Sequence, residues 1–365
     1  MGARSPLRGL TLAWSALALT ACSPPCEVGD VCALMGTGFL GFNGDGAADE
    51  SALASPTAVR EDPDGRPLVV DFSNMRLRVL DEADVVTTVV GNGLHAFSEP
   101  GADRLATPLE NPIDARYGPD GLLYIAPLHE GRVIRIDDAG RVERVACTGT
   151  SLNEGGDGGS ALDATMGFVG GLAFGPDGTL YVSDNSNHQV RAVQIGGEIT
   201  TVLGTGERGF DADGDGTQVR LNSPVMLQIV GDELWVVDAG NHRVAALDLA
   251  TGQVRTVVGT GDEGYAGDGG PAEEATLSDP FGIATDGERV WIADLGNKVV
   301  REIAADGVIS TVIAGSGEID PEETRRVFDP LDAPVFSPAG LHVAEDGTLL
   351  LTDRGTHRVL RWVRE

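Results

Sequence analysis

Short apolar runs, each closed by glycine or aspartate, set the rhythm of this chain. One kind is β-branched and ends in glycine: Val85-Val-Thr-Thr-Val-Val-Gly91, Ile199-Thr-Thr-Val-Leu-Gly204, Val254-Arg-Thr-Val-Val-Gly259 and Ile309-Ser-Thr-Val-Ile-Ala-Gly315. Val31-Cys-Ala-Leu-Met-Gly36 is another copy, and Val142-Glu-Arg-Val-Ala-Cys147 is a degenerate one with cysteine at the glycine position. The closing positions 36, 91, 147, 204, 259 and 315 are 55 to 57 residues apart. A second kind keeps the same period: Leu68-Val-Val-Asp71, Tyr124-Ile-Ala-Pro127, Tyr181-Val-Ser-Asp184, Trp235-Val-Val-Asp238, Trp291-Ile-Ala-Asp294 and Leu350-Leu-Thr-Asp353. Four of these have Asn three residues on, at Asn74, Asn187, Asn241 and Asn297. A fixed period of this size marks a repeat architecture. Runs of this length and composition, bounded by turn residues, predict strands.

Each period predicts four strands. The first enters on a Pro-x-Gly phrase, as in Pro280-Phe-Gly-Ile-Ala284 or Pro338-Ala-Gly-Leu341. Turns such as Pro119-Asp-Gly121 and Pro176-Asp-Gly178 follow, where glycine accepts positive φ. The second strand is apolar at consecutive positions, as expected of a sheet covered on both faces. No stretch has an amphipathic helical period, and Pro321–Arg326 offers at most a turn or two. Small four-stranded sheets repeated radially make a propeller. The chain opens on the last strand of a unit, at 31–36, and stops after the third strand of a unit, at 358–363. An open array would leave two unpaired edges. The expectation is therefore an all-β, six-bladed β-propeller of four-stranded antiparallel blades over 31–365, closed by an N-terminal strand that completes the C-terminal blade.

Residues 1–21 stand outside this pattern. Arg4 and Arg8 precede an apolar stretch, Leu10–Leu19, too short for a resident span. Leu19-Thr20-Ala21-Cys22 resembles the bacterial lipobox, which implies that Cys22 takes a diacylglycerol and becomes the new N-terminus. Plain secretion with cleavage near Ala21 is the alternative. Residues 22–30 then form the lipidated cysteine and its tether, and Ser23 after that cysteine resembles outer-membrane sorting. The chain is thus expected to be exported and held in the bacterial cell envelope by lipid alone. Cys26, Cys32 and Cys147 remain. The local pair Cys26–Cys32 is preferred over Cys32–Cys147, which would join different blades.

The Asp-x-x-Asn turns, the Val258-Gly-Thr-Gly261 ending (compare Gly204-Thr-Gly206) and Gly267-Asp-Gly-Gly-Pro-Ala272 carry a resemblance to the NHL repeat family across the mature chain. The second repeat departs from it with Pro127 at the Asp position, and the sixth lacks the Gly-Asp-Gly phrase. The resemblance implies the propeller fold and leaves function open, since such domains serve in protein interaction, sensing and sometimes catalysis. Some related lyases hold a metal in the central channel with several histidines. Here only His342 falls on an expected innermost strand.

Two sets of aspartates recur. Asp71, Asp184, Asp238, Asp294 and Asp353 are expected to bind backbone amides of their own turns, because one constellation per blade is what structure needs and a single site does not. Asp45, Asp157, Asp211, Asp213, Asp215 and Asp268, in the Gly-Asp-Gly loops, are expected on the same face and are the candidate oxygen ligands, with Ca²⁺ the cofactor they would suit. His188, His242 and His357 are repeat-encoded and are read as turn packing, while His95, His129 and His342 are unmatched. Phe42, Phe210 and Tyr265 occupy equivalent loop positions as plugs.

With 26 Lys and Arg against 56 Asp and Glu, the charge of −30 excludes phosphate-rich nucleic acid as a natural partner. No nucleophile elbow or phosphate loop is present. The expected function is a monomeric binding or display scaffold that meets a protein or glycan ligand through its loop face. The alternative is a metal-dependent lyase or hydrolase at the central channel.

Overall fold

The computed structural model describes residues 26–149, 155–315 and 327–364. The leader, Cys22 and the Pro321–Arg326 segment lie outside them. Six antiparallel sheets surround one axis, each ordered from an innermost to an outermost strand. The innermost strands are Ala58–Glu61, Pro112–Tyr117, Val169–Phe174, Pro224–Val230, Pro280–Thr285 and Pro338–Val343, and they define blades one to six. The second strands are buried along almost their whole length, as at Leu123–Pro127, Leu180–Asp184 and Val290–Asp294. That burial explains their unbroken apolar sequence.

Blade six takes its outermost strand from the other end of the chain. Val31–Met35 pairs antiparallel with Arg358–Trp362 in the register Val31↔Trp362, Cys32↔Arg361 and Ala33↔Leu360. Val31 and Met35 are fully buried. Cys26 and Cys32 are joined by a disulfide that ties the tether to this strand, and Cys147 is a buried thiol.

Sheets stacked around an axis crowd inside and diverge outside, and the sequence answers both demands. A Cβ on Gly282 would fall on the carbonyl oxygen of Ala339 in the next blade, and one on Gly340 would sit 2.5 Å from Ala58 Cα. The Pro-x-Gly phrase is therefore the condition for close approach of innermost strands. At the outer edge, the segment leading into each blade fills the wedge. Gly36, Cys147, Gly204 and Gly259, at the ends of outermost strands, donate N–H bonds to Ala48, Ala161, Gly216 and Ala272. Those small residues donate in turn to Asp84, Gly197, Gly252 and Gly307, at the far turn of the following blade. Four sheets gain a short fifth strand from such a link, as Gly46–Ala47 does on blade one.

Gly282→Ala is expected to cost about 1–3 kcal/mol through overpacking against Ala339. A urea unfolding curve checks this, with the solvent-facing Ala139→Gly change as the reference.

Candidate functional site

In every blade except the second, the aspartate ending the second strand faces the segment that enters the blade. Asp71, Asp184, Asp238 and Asp294 accept from the amides of Ala54, Gly167, Asn222 and Ser278 at 2.6–2.9 Å. Asp353 accepts from Phe336, Ser337 and Thr356. The asparagines lock the same junction: Asn74, Asn241 and Asn297 donate both to their Asp and to the carbonyls of Gly41, Gly209 and Gly264. These aspartates thus clamp the incoming link rather than a ligand. All five are fully buried. Burial pushes the carboxyls of Asp71 and Asp294 up to about 6, against the pull of the amide, the asparagine and a neighbouring arginine.

That arginine was not anticipated from the sequence. Arg78, Arg191, Arg243 and Arg301 on the third strands are completely buried, each beside its turn aspartate. The available signal was an arginine five or seven residues after the Asp, and the two spacings place it differently. At the longer spacing the guanidinium also reaches a loop aspartate: Arg78 meets Asp45 at 3.3 Å, Arg191 meets Asp157, and Arg301 meets Asp268 at 2.6 Å. At the shorter spacing Arg243 binds Asp238 at 2.9 Å and the carbonyls of Asp211 and Ala212.

The two aspartate sets are neighbours, since one guanidinium reaches both in three blades. The Gly-Asp-Gly links nevertheless continue into the outer wedge between blades, so Asp45, Asp157, Asp213 and Asp268 lie beside outermost strands. Asp45 accepts from Thr88 Oγ1, Asp157 from the Thr201 amide and Asp213 from the Thr256 amide. Asp211 accepts from Arg220 through its amide and guanidinium, and Asp215 from the Thr217 amide and hydroxyl. The fold does not bring the six together, and each is engaged by a protein donor.

The repeat-encoded histidines are interblade latches. Nδ1 of His188, His242 and His357 accepts from the amides of Ser223, Asp279 and Ser55 in the segment entering the next blade. All three histidines have positive φ, as do Ser55, Ser223 and Asp279.

Charged side chains bridge the innermost strands. Arg60 donates to Asp114 at 2.9 Å and to the Leu341 carbonyl, Asp114 also accepts from the Leu172 amide, and Arg116 reaches from blade two to the Leu227 carbonyl of blade four. His342, on the innermost strand of blade six, meets Glu61 at 3.2 Å. Burial, with Arg60 and Arg116 adding to it, pulls the imidazole down to about 3. One neutral histidine beside two guanidiniums is a poor donor set for a cation.

The links between blades are the opposite extreme. Among the described residues, twelve of the fifteen exposed large apolar side chains lie in them, including Phe39, Leu40, Phe42, Leu94, Phe97, Phe168 and Tyr265. Phe42, Phe210 and Phe336 are backed by Arg76, Arg243 and Lys298 at 3.7–4.3 Å, and each still shows more than a third of its surface.

These features define a six-bladed β-propeller whose blades are stapled by acidic turn motifs. Residues 167–192 match the NHL repeat family model, and the chain is an NHL-repeat propeller. It is 30% identical over 292 residues to NHL repeat-containing protein 2 of Bos taurus, covering 70% of this chain and 40% of that protein. It is 27% identical over 282 residues to the chloroplastic protein Suppressor of Quenching 1 of Arabidopsis thaliana, covering 73% of this chain and 26% of that one. The chain thus spans well under half the length of these relatives. Among solved structures, an auxiliary nutrient binding protein from Bacteroides thetaiotaomicron superposes with a TM-score of 0.65 at 15% identity, over 91% of this chain and 75% of the other. No helix among the described residues is long and apolar enough to cross a membrane.

Two outcomes test this account of the site. Asp238→Ala leaves Arg243 buried without its carboxylate and is expected to cost about 3–5 kcal/mol, measured by chemical denaturation. For His342, the unfolded chain takes up a proton near pH 6.5 and the folded chain only near pH 3, so the contribution of this residue to stability falls as pH drops between those values. The loss of stability from pH 7 to pH 4 should accordingly be smaller in His342→Gln than in the parent chain.

Proposed function

We propose that this propeller is a binding module of the bacterial cell envelope, anchored by a lipid on Cys22 and meeting a protein or glycan ligand through the face where the links enter the blades. The observation that carries the reading is the concentration of exposed aromatic and aliphatic side chains in the links between blades. Exposed apolar side chains on an otherwise charged protein point to an interaction surface. Rings such as Phe39, Phe97 and Tyr265 can stack on a sugar or enter a protein interface, where aromatic side chains contribute most of the binding energy. Their rigid backing suits this role, because the Asp and Asn clamps hold the links before any ligand arrives and little ordering cost remains. The Bacteroides thetaiotaomicron protein of the same fold is described as nutrient binding, which is the kind of use proposed here. Chemistry at the channel has less support, since the innermost strands there carry the Arg60–Asp114–Arg116 bridge and a single histidine, His342.

The full chain should be probed on a glycan array and in a cross-linking capture from envelope extracts. The paired change Phe39→Ser with Phe97→Ser is expected to weaken whatever is retained about tenfold or more, as for loss of hot-spot residues, without moving the melting temperature. Ile195→Ser, on the opposite face, should leave retention intact. Equal effects from the two faces would remove the reading. Cys22→Ser is expected to shift the protein from the membrane fraction to the soluble one, and an unchanged distribution would argue for plain secretion.

A further inference from the structure

The second blade breaks the repeat where the others clamp their links. It has Pro127 in place of the turn aspartate. The position two residues further is small in every other blade (Ser73, Ser186, Gly240, Gly296 and Gly355) and is His129 here. Its opposite number in the incoming link, occupied elsewhere by Ala54, Gly167, Asn222 or Ser278, is Glu110. The two positions are direct neighbours in the fold: a Cβ on Gly240 would strike Asn222, and one on Gly296 would strike Ser278. A clamp made of a carboxylate and a backbone amide has been replaced by a carboxylate and an imidazole.

A second imidazole completes the group. His95, from the start of the same link, places Nε2 2.6 Å from Glu110 Oε1, and His129 Nδ1 lies 3.2 Å from the same oxygen. The three ligand atoms all fall within 4.8 Å of one another. Glu110 is buried, and among the described residues its ion-pair partners are these two imidazoles. The clamp acids Asp71, Asp184, Asp238 and Asp294 have arginine instead. Asn111 Oδ1 stands 2.7 Å from His95 Nε2, and the His129 ring rests edge-on against Phe168 at 4.8 Å, which fixes its plane.

We propose that His95, Glu110 and His129 bind one divalent metal ion of the zinc class, with a coordination position left open toward the loop face. Two imidazoles and one carboxylate are the donor set such ions take when a fourth position is free. Tetrahedral ligands at about 2.0–2.2 Å from a metal stand roughly 3.3 Å apart, and the separations here approach that without backbone movement, because His95 is more than half exposed and can adjust. Imidazole favours zinc, cobalt, nickel or copper over Ca²⁺ and Mg²⁺, which prefer all-oxygen sites. Glu130 takes over the structural duty of the lost clamp: it accepts from the Ser98 amide and hydroxyl and binds Arg132 at 2.5 Å, which frees His129 and Glu110 from holding the link. The inference does not depend on which ligand the loop face recognises.

The test uses the full chain with ZnCl₂ and CaCl₂ as separate probes, followed by calorimetry, and CoCl₂ followed by visible absorption. One equivalent of zinc is expected, no saturable calcium binding at the same concentrations, and cobalt bands of four-coordinate intensity. His95→Ala and Glu110→Gln should each weaken zinc tenfold or more, and His242→Ala, a latch in another blade, should not. Melting curves establish that the variants are folded, and Glu110→Gln keeps the shape if His129→Ala does not fold. Absence of stoichiometric zinc in the parent chain, or a zinc affinity in His95→Ala and Glu110→Gln unchanged from that of the parent chain, would overturn the assignment.

Discussion

Everything in this molecule answers to one geometric constraint: six sheets around an axis are too close at the hub and too far apart at the rim. A twisted four-stranded sheet cannot hide both of its faces alone, so each blade depends on its neighbours for burial. At the hub the conflict is settled by removing side chains, with Gly282 and Gly340 admitting the backbone of the next blade. At the rim it is settled by adding chain, with the links threaded into the wedge and hydrogen-bonded on both sides. The aspartate clamp follows from the second solution. A segment that leaves the rim and must reach the hub crosses the face of the blade, and its amides need acceptors there.

The acidity of the chain looks different from this angle. Many carboxylates are not solvated charge at all but buried acceptors for links, paired with arginines that are themselves fully buried. Such pairs add little net stability, because desolvation offsets much of the attraction, yet removing one partner is costly. Recurrence gives the molecule an internal control as well: five blades show what a clamp looks like, and the second stands out as the one that spends its acid and imidazole on each other.

Strand identity, blade count and ring closure were legible because they depend on backbone and burial alone. Gly91 and Gly259 recur where outermost strands end, and Val31 must find Trp362 if no edge is to stay bare. The placement of side chains in the links was less legible. Asp45 and Asp268 sit in phrases that look like surface loops, and nothing local says that such a loop dives along an outer edge to reach Arg78 or Arg301. Two spacings of the arginine hid the partner further. His95, Glu110 and His129 carry no motif, being 15 and 19 residues apart on separate turns, and the hints that this blade differs were the departures at Pro127 and Cys147 and the two unmatched histidines. His342 was correctly placed on an innermost strand, but the Arg60–Asp114–Arg116 bridge that makes its surroundings cationic required three blades to be assembled at once.

Because Val31–Met35 lies beside Arg358–Trp362, two segments far apart along the polypeptide share one sheet. Until both have been synthesised and paired, the strand Arg358–Trp362 has a bare flank. Peeling Val31–Met35 away would reopen the ring at that same seam, so this junction is where unravelling would begin.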